Sequence, residues 1–144
     1  VHPFQDRKQK HQLYKIMSAN NNSSMAPPGH VSWNELVTTD LAGAQTFYTG
    51  LFGWKAEAFG AGMDYTLFKK GGTTVGGMMK CPQPGAPAHW LAYVTVGDVD
   101  ASAAKAGKLG GTVVAPPFDV PEVGRIAVVL DPQGAAIGLF KPAA

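Results

Sequence analysis

Trp33-Asn-Glu-Leu-Val-Thr-Thr-Asp40 runs directly into Leu41-Ala-Gly-Ala-Gln-Thr-Phe-Tyr-Thr-Gly-Leu-Phe-Gly-Trp54, and the same order returns 58 residues later. There, Leu91-Ala-Tyr-Val-Thr-Val-Gly-Asp98 leads into Val99-Asp-Ala-Ser-Ala-Ala-Lys-Ala-Gly-Lys-Leu-Gly-Gly111. In both places a strand-like run meets an aspartate and then a helix-like run. The tails repeat as well: Gly72-Thr-Thr-Val-Gly-Gly-Met-Met-Lys80 echoes Gly134-Ala-Ala-Ile-Gly-Leu-Phe-Lys141. Two copies of one supersecondary unit imply a pseudo-twofold domain with a cavity between or within its halves.

Working outward, residues 31–38 read as a strand in which Trp33, Glu35 and Val37 share a face by alternation. Asp40 caps a helix by accepting hydrogen bonds from first-turn amides, and Gly53 ends it. Leu41, Ala44, Phe47, Tyr48 and Leu51 recur at helical spacing and predict a buried face. Strands follow near 54–59, 64–70 and 73–80, separated by glycine turns. Cys81-Pro-Gln-Pro-Gly-Ala-Pro87 cannot continue a central strand, because its prolines lack the amide donor. The second copy then predicts a strand at 89–96, a helix from Asp98 to Leu109, and strands near 112–115, 124–130 and 136–140. Asp131-Pro-Gln-Gly134 supplies its last hairpin turn. The expected organisation is a tail at 1–29 and one α+β domain at 30–142. That domain comprises two tandem βαβββ units, 30–80 and 89–142, around a joint at 81–88.

Composition limits the alternatives. A chain of 144 residues that is 45% hydrophobic and 15% charged can bury one core and is expected to be a single soluble domain. A formal charge of +2, partly from Arg7, Lys8 and Lys10, gives no basic face for nucleic acid. No run approaches the roughly 18 apolar residues of a membrane span, and the N-terminus lacks the apolar core of a secretory signal. The single cysteine, Cys81, excludes an internal disulfide and a cysteine-rich metal cluster, and fits a reducing cytoplasm. Residues 1–24 are largely polar and read as a tail, a linker or a remnant of cloning, with Met17 or Met25 as native start. The alternative is that Leu13-Tyr-Lys-Ile-Met17 docks as a short segment.

A tandem βαβββ chain with Asp-Pro-Gln-Gly before its last strand resembles the vicinal oxygen chelate superfamily of glyoxalase I, bleomycin-resistance proteins and extradiol dioxygenases. The matching residues are Asp40, Phe47-Tyr48 and Leu51-Phe-Gly53 in the first unit. In the second they are Asp98-Val-Asp100, Gly110-Gly111 and Asp131-Pro-Gln-Gly134. The resemblance implies a divalent metal acting as a Lewis acid on vicinal substrate oxygens. Here the implied ligand pattern breaks. The histidine places fall on Trp33 and Leu91, and the glutamate places on Gly76 and Gly138. None of these side chains offers a lone pair to a cation, so no cofactor is expected. A rebuilt divalent-metal site with Glu35, His89 and water is conceivable, but two protein ligands fall short of the three usual in catalytic zinc sites. The plainer reading of His89 is a hydrogen bond to a loop carbonyl.

Glu35 is the candidate catalytic residue, because a carboxylate in an apolar strand is costly to bury unless paired or protonated. Facing the cavity, its pKa should rise, making it a general base or an anchor for a polar ligand. Paired with Arg125 or a lysine, it would be structural. Trp33, Met78, Tyr93, Phe118 and Phe140 complete the candidate ligand-binding set with Glu35 and His89. Apolar walls with few polar anchors are the usual makeup of a small-molecule site. The expected function is binding of a small apolar or aromatic molecule, resembling the bleomycin-resistance branch, where sequestration needs no metal. The alternative is a glyoxalase-like lyase or isomerase, metal-free with Glu35 as base or with an unusual metal set. A homodimer is expected to be possible, since members of this fold often pair.

Overall fold

Each passage from strand to helix turns on an aspartate. In the computed structural model, which describes residues 26–59, 65–120 and 124–143, Asp40 is extended and its Oδ1 accepts a 2.9 Å hydrogen bond from the Gly43 amide. Asp98 does the same for the Ala101 amide at 2.9 Å. These caps start α1 (Leu41–Phe52) and α2 (Val99–Lys108). Gly53 closes α1 in the left-handed conformation at φ 68°, donating its amide to the Thr49 carbonyl at 3.0 Å. Asp100 in the first turn of α2 and Lys105 and Lys108 in its last turn oppose the helix dipole favourably.

Eight strands accompany the two helices among the described residues: β1 (Val31–Thr38), β2 (Lys55–Ala58), β3 (Tyr65–Lys70), β4 (Thr73–Lys80), β5 (His89–Thr95), β6 (Thr112–Val120), β7 (Gly124–Leu130) and β8 (Ala136–Pro142). This is the α+β, twice-repeated βαβββ order that the sequence predicts. One expectation is corrected: β6 does not stop near 115. It continues through Pro116 and Pro117 to Val120, with register irregularities on both sides of Ala115. The prolines are tolerated because β6 is an edge strand, where missing donors go unneeded. Phe118 therefore lies in a strand, opposite Ile126.

The chain divides into two compact units among these residues, 34–90 and 26–33 with 91–143. In the first, the strand order is β2-β3-β4-β1, with β1 and β4 parallel and the rest antiparallel. In the second it is β5-β8-β7-β6, with β5 and β8 parallel. Residues 29–33 belong with the second unit because their hydrogen bonds go to β5. The Gly29 amide donates to the Thr95 carbonyl at 2.8 Å, the Thr95 amide to the His30 carbonyl at 2.9 Å, and Ser32 Oγ to the Tyr93 carbonyl at 3.2 Å. The boundary at the other end falls after Trp90, just past the proline-rich joint.

Each unit packs its helix on one face of its strands. In the first, Leu36, Phe68 and Met78 are buried against Leu41, Ala44 and Tyr48 of α1. In the second, Val99 and Ala103 of α2 bury Ala127, Val129 and Leu139. Removing a valine, leucine, phenylalanine or methionine side chain from water is worth about 1.5–3 kcal/mol. The predicted face of α1 is only partly right. Leu41, Ala44 and Tyr48 pack inward, whereas Phe47 and Leu51 are 58% and 59% exposed. No residue of 41–54 is charged, and only Gln45 and Thr46 mark the side of this helix that faces out.

The DPQG turn forms as expected. Asp131 Oδ1 accepts from the Gln133 and Ala135 amides at 3.0 and 2.9 Å, and Gly134 takes φ 92°.

Candidate functional site

Alternation along β1 puts Leu36 on the α1 side and Glu35 on the opposite face. Glu35 is 7% exposed, and Tyr65 Oη donates to its Oε2 at 2.9 Å. The two residues sit on β1 and β3, with β4 between them. What lets the phenol cross is Gly77. It stands opposite Glu35 on one side and Leu67 on the other, and a Cβ there would fall inside the Tyr65 hydroxyl and ring. Tyr65 itself is 1% exposed and packs edge-on against Phe59, with ring centroids 6.3 Å apart. The first unit thus holds a buried carboxylate–phenol pair over a glycine.

The second unit repeats the arrangement without the carboxylate. Tyr93 occupies the place of Glu35 counted from the capping aspartates, and it stands opposite Gly138 in the β5–β8 register. Its ring lies over Gly138, so that a Cβ on that glycine would clash with it. The parallel between Glu35–Gly77 and Tyr93–Gly138 corrects one assignment: the counterpart of Gly138 is Gly77, not Gly76.

The remaining candidates divide. Tyr93, Phe118 and Phe140 share the face turned away from α2, since Phe140 is opposite Ile126, Ile126 opposite Phe118, and Tyr93 opposite Gly138. Phe140 is 2% exposed, while Tyr93 and Phe118 are half-buried. Trp33 is buried at 4% in this unit. Met78 is corrected as a wall of the Glu35 face. It is opposite Leu36 and wholly buried on the α1 side, because the side-chain period of two carries it to the other face from Gly77. His89 is exposed, and its Nδ1–H donates to the Pro87 carbonyl at 3.0 Å, the loop-carbonyl arrangement. Arg125 is taken by others: it bonds Asp100 at 2.6 and 2.8 Å and Asp119 at 3.0 Å. Glu35, the alternative partner for this arginine, accepts from Tyr65. The short docked segment considered at 13–17 lies outside the described residues.

Two residues escaped the sequence reading. Tyr65 becomes visible only once the strand register is known, although a glycine inside a strand signals close approach of another group. Thr95 is the other. It is 5% exposed, stands opposite Phe140 on the face away from α2, and its Oγ1 has no hydrogen-bond partner among the described residues. Its backbone is satisfied by Gly29 and His30. A buried hydroxyl left unpaired costs about 1–3 kcal/mol.

The metal implied by the resemblance does not fit the residues present. Trp33, Leu91, Gly77 and Gly138 carry no donor atom, and tyrosine rings cover both glycines. Among the described residues, no three His, Cys, Asp or Glu side chains group closely enough to hold a metal ion. A buried carboxylate bonded to a phenol is the chemistry of the first unit's face, and apolar and aromatic side chains are that of the second's.

A tandem βαβββ repeat is the architecture of a glyoxalase-type fold. The family model described as the Glyoxalase/Bleomycin resistance protein/Dioxygenase superfamily matches residues 28–139, and the chain belongs to that superfamily. It is 46% identical over 117 residues to CFP32 of Mycobacterium tuberculosis, a glyoxylase by name, matching 80% of this chain and 45% of the relative. It is 36% identical over 131 residues to the anthracycline biosynthesis protein DauV of Streptomyces sp. strain C5, with 79% and 47% covered. The chain therefore spans about half the length of these relatives. A Mn(II)-bound glyoxalase from Novosphingobium aromaticivorans shares the fold at a TM-score of 0.53 and 17% identity, covering 77% of this chain and 38% of that one. Among the described residues, no helix is long and apolar enough to cross a membrane.

Proposed function

We propose that this chain binds a small, largely apolar or aromatic molecule on the strand faces turned away from its helices, without a metal. The observation that carries the reading is the replacement of the family's ligand places by Trp33, Leu91, Gly77 and Gly138, with Tyr65 and Tyr93 laid over the glycines. Aromatic side chains thus stand where the resemblance puts donors, and apolar lining suits sequestration. The anthracycline-related name of DauV points to polycyclic aromatics as a class to try first. The single cysteine suits a reducing cytoplasm as the place of action, and a homodimer is the assembly to test.

A second reading has its own support. Glu35 is buried, accepts a hydrogen bond from Tyr65, and could serve as general base of a metal-free lyase or isomerase, in keeping with the name of CFP32.

The test has two arms. Protein purified without chelator or metal-affinity tag is analysed for metal before and after addition of Ni, Zn, Mn and Fe; about one tightly held ion per chain overturns the metal-free reading. Thermal unfolding is then followed with an anthracycline, with bleomycin and with simpler aromatics. Binding gives saturable stabilisation following RT ln(1 + [L]/Kd) and no turnover. Turnover that Glu35→Gln abolishes while the fold survives establishes the enzyme instead.

A further inference from the structure

The face of the second unit turned away from α2 is apolar at nearly every position. Along β7 it presents Gly124, Ile126, Val128 and Leu130, and along β8 Ala136, Gly138, Phe140 and Pro142. Leu91, Tyr93 and Thr95 of β5 continue it by register and alternation, and Phe118 of β6 extends it opposite Ile126. No charged side chain stands at these positions. Arg125, one residue out of phase, is on the other side, bonded to Asp100 of α2.

Within this surface the buried Thr95 Oγ1 has no hydrogen-bond partner among the described residues. On the same face Tyr93, Phe118, Ile126 and Val128 are half-buried, while Phe140, directly opposite Thr95, is 2% exposed. A hydroxyl that can donate and accept, set beside aromatic and branched walls with no counter-charge, selects a neutral ligand; an ionised group would be desolvated without compensation.

We infer that Thr95 is the polar anchor of a binding site on this face for an uncharged aromatic molecule bearing a hydroxyl or carbonyl group. The inference rests on the proposed binding function and narrows its ligand class. Glu35 and Tyr65 take no part in it.

Two probes of equal size separate the terms: p-cresol and p-xylene differ by one hydroxyl in place of a methyl. Both are titrated into the full chain, following backbone amides by NMR, with wild type, Thr95→Val and Thr95→Ser. The expected result is that p-cresol shifts amides of residues 93–96, 126–128 and 138–140. It should bind about three- to tenfold more tightly than p-xylene, the range of one net hydrogen bond. Thr95→Ser keeps that preference, and Thr95→Val loses it while melting no lower than wild type, since it removes an unpaired buried hydroxyl. Equal binding of the two probes by wild type, or a preference that survives in Thr95→Val, overturns the anchor while leaving apolar binding standing. A lower Tm for Thr95→Val shows that the hydroxyl serves the fold through a buried water, and likewise overturns it. If neither probe shifts this face, the binding reading fails for this unit and the anchor falls with it.

Discussion

Tyr65 reaches across Gly77 to donate a 2.9 Å hydrogen bond to the buried carboxylate of Glu35. The contact links two strands that are not neighbours, β3 and β1, through the gap left by a residue without a side chain. Removing the donor leaves a buried acceptor with less compensation. Tyr65→Phe is expected to lower stability by about 1–3 kcal/mol, read from urea unfolding at neutral pH.

The glycine and the tyrosine depend on each other. Gly77→Ala puts a Cβ into the Tyr65 hydroxyl and ring and should cost about 1–3 kcal/mol, as overpacking does. In a Tyr65→Ala background the same change should cost much less. A double-mutant cycle measures the difference, and additive effects would remove the claimed contact.

Arg125 bridges Asp100 and Asp119 at the protein surface. Its hydrogen bond and charge hold the Asp100 carboxyl below its usual range, against a smaller opposing effect of desolvation. A carboxylate with a depressed folded pKa contributes stability that is present above its unfolded pKa of 3.8 and lost as pH falls through the lower folded value. Arg125→Gln should therefore lower Tm at pH 7 and bring the two proteins together as pH drops below about 4. Salt should narrow the gap at pH 7.

The capping aspartates should act alike. Asp40→Ala and Asp98→Ala each remove an acceptor for a first-turn amide and are expected to cost about 0.5–2 kcal/mol in denaturant unfolding. Asp→Asn at either place should recover most of the loss.

The legible part of this fold was local chemistry. Asp40 and Asp98 announce helix starts, Gly53 a helix end and Asp131-Pro-Gln-Gly134 a turn, and their repetition gives the tandem order. Glu35 also stood out, as a charge in an apolar strand. Its partner did not, because Tyr65 lies 30 positions away and meets it only through the register of three strands. Met78 was misplaced for a related reason: beside the Gly76-Gly77 pair, a one-residue uncertainty in register decides which face a side chain takes. Thr95 gave no signal at all, since an alternating strand commonly carries a threonine and only packing shows that its hydroxyl is unpaired. Phe47 and Leu51 have helical spacing without burial, because the outer side of this helix carries large apolar residues beside Gln45 and Thr46 and has no charge to mark it.

The tyrosine rings over Gly77 and Gly138 also bear on how this lineage can change. If an ancestor held a metal through acidic side chains at these two positions, reversion now requires an ordered pair of mutations in each unit. A glutamate placed at either glycine meets the ring of Tyr65 or Tyr93 before it meets an ion, so the single step is selected against on stability alone. The tyrosine must shrink first, which in the first unit removes its hydrogen bond to Glu35. In each unit the ring and the glycine beneath it can therefore change only in that order.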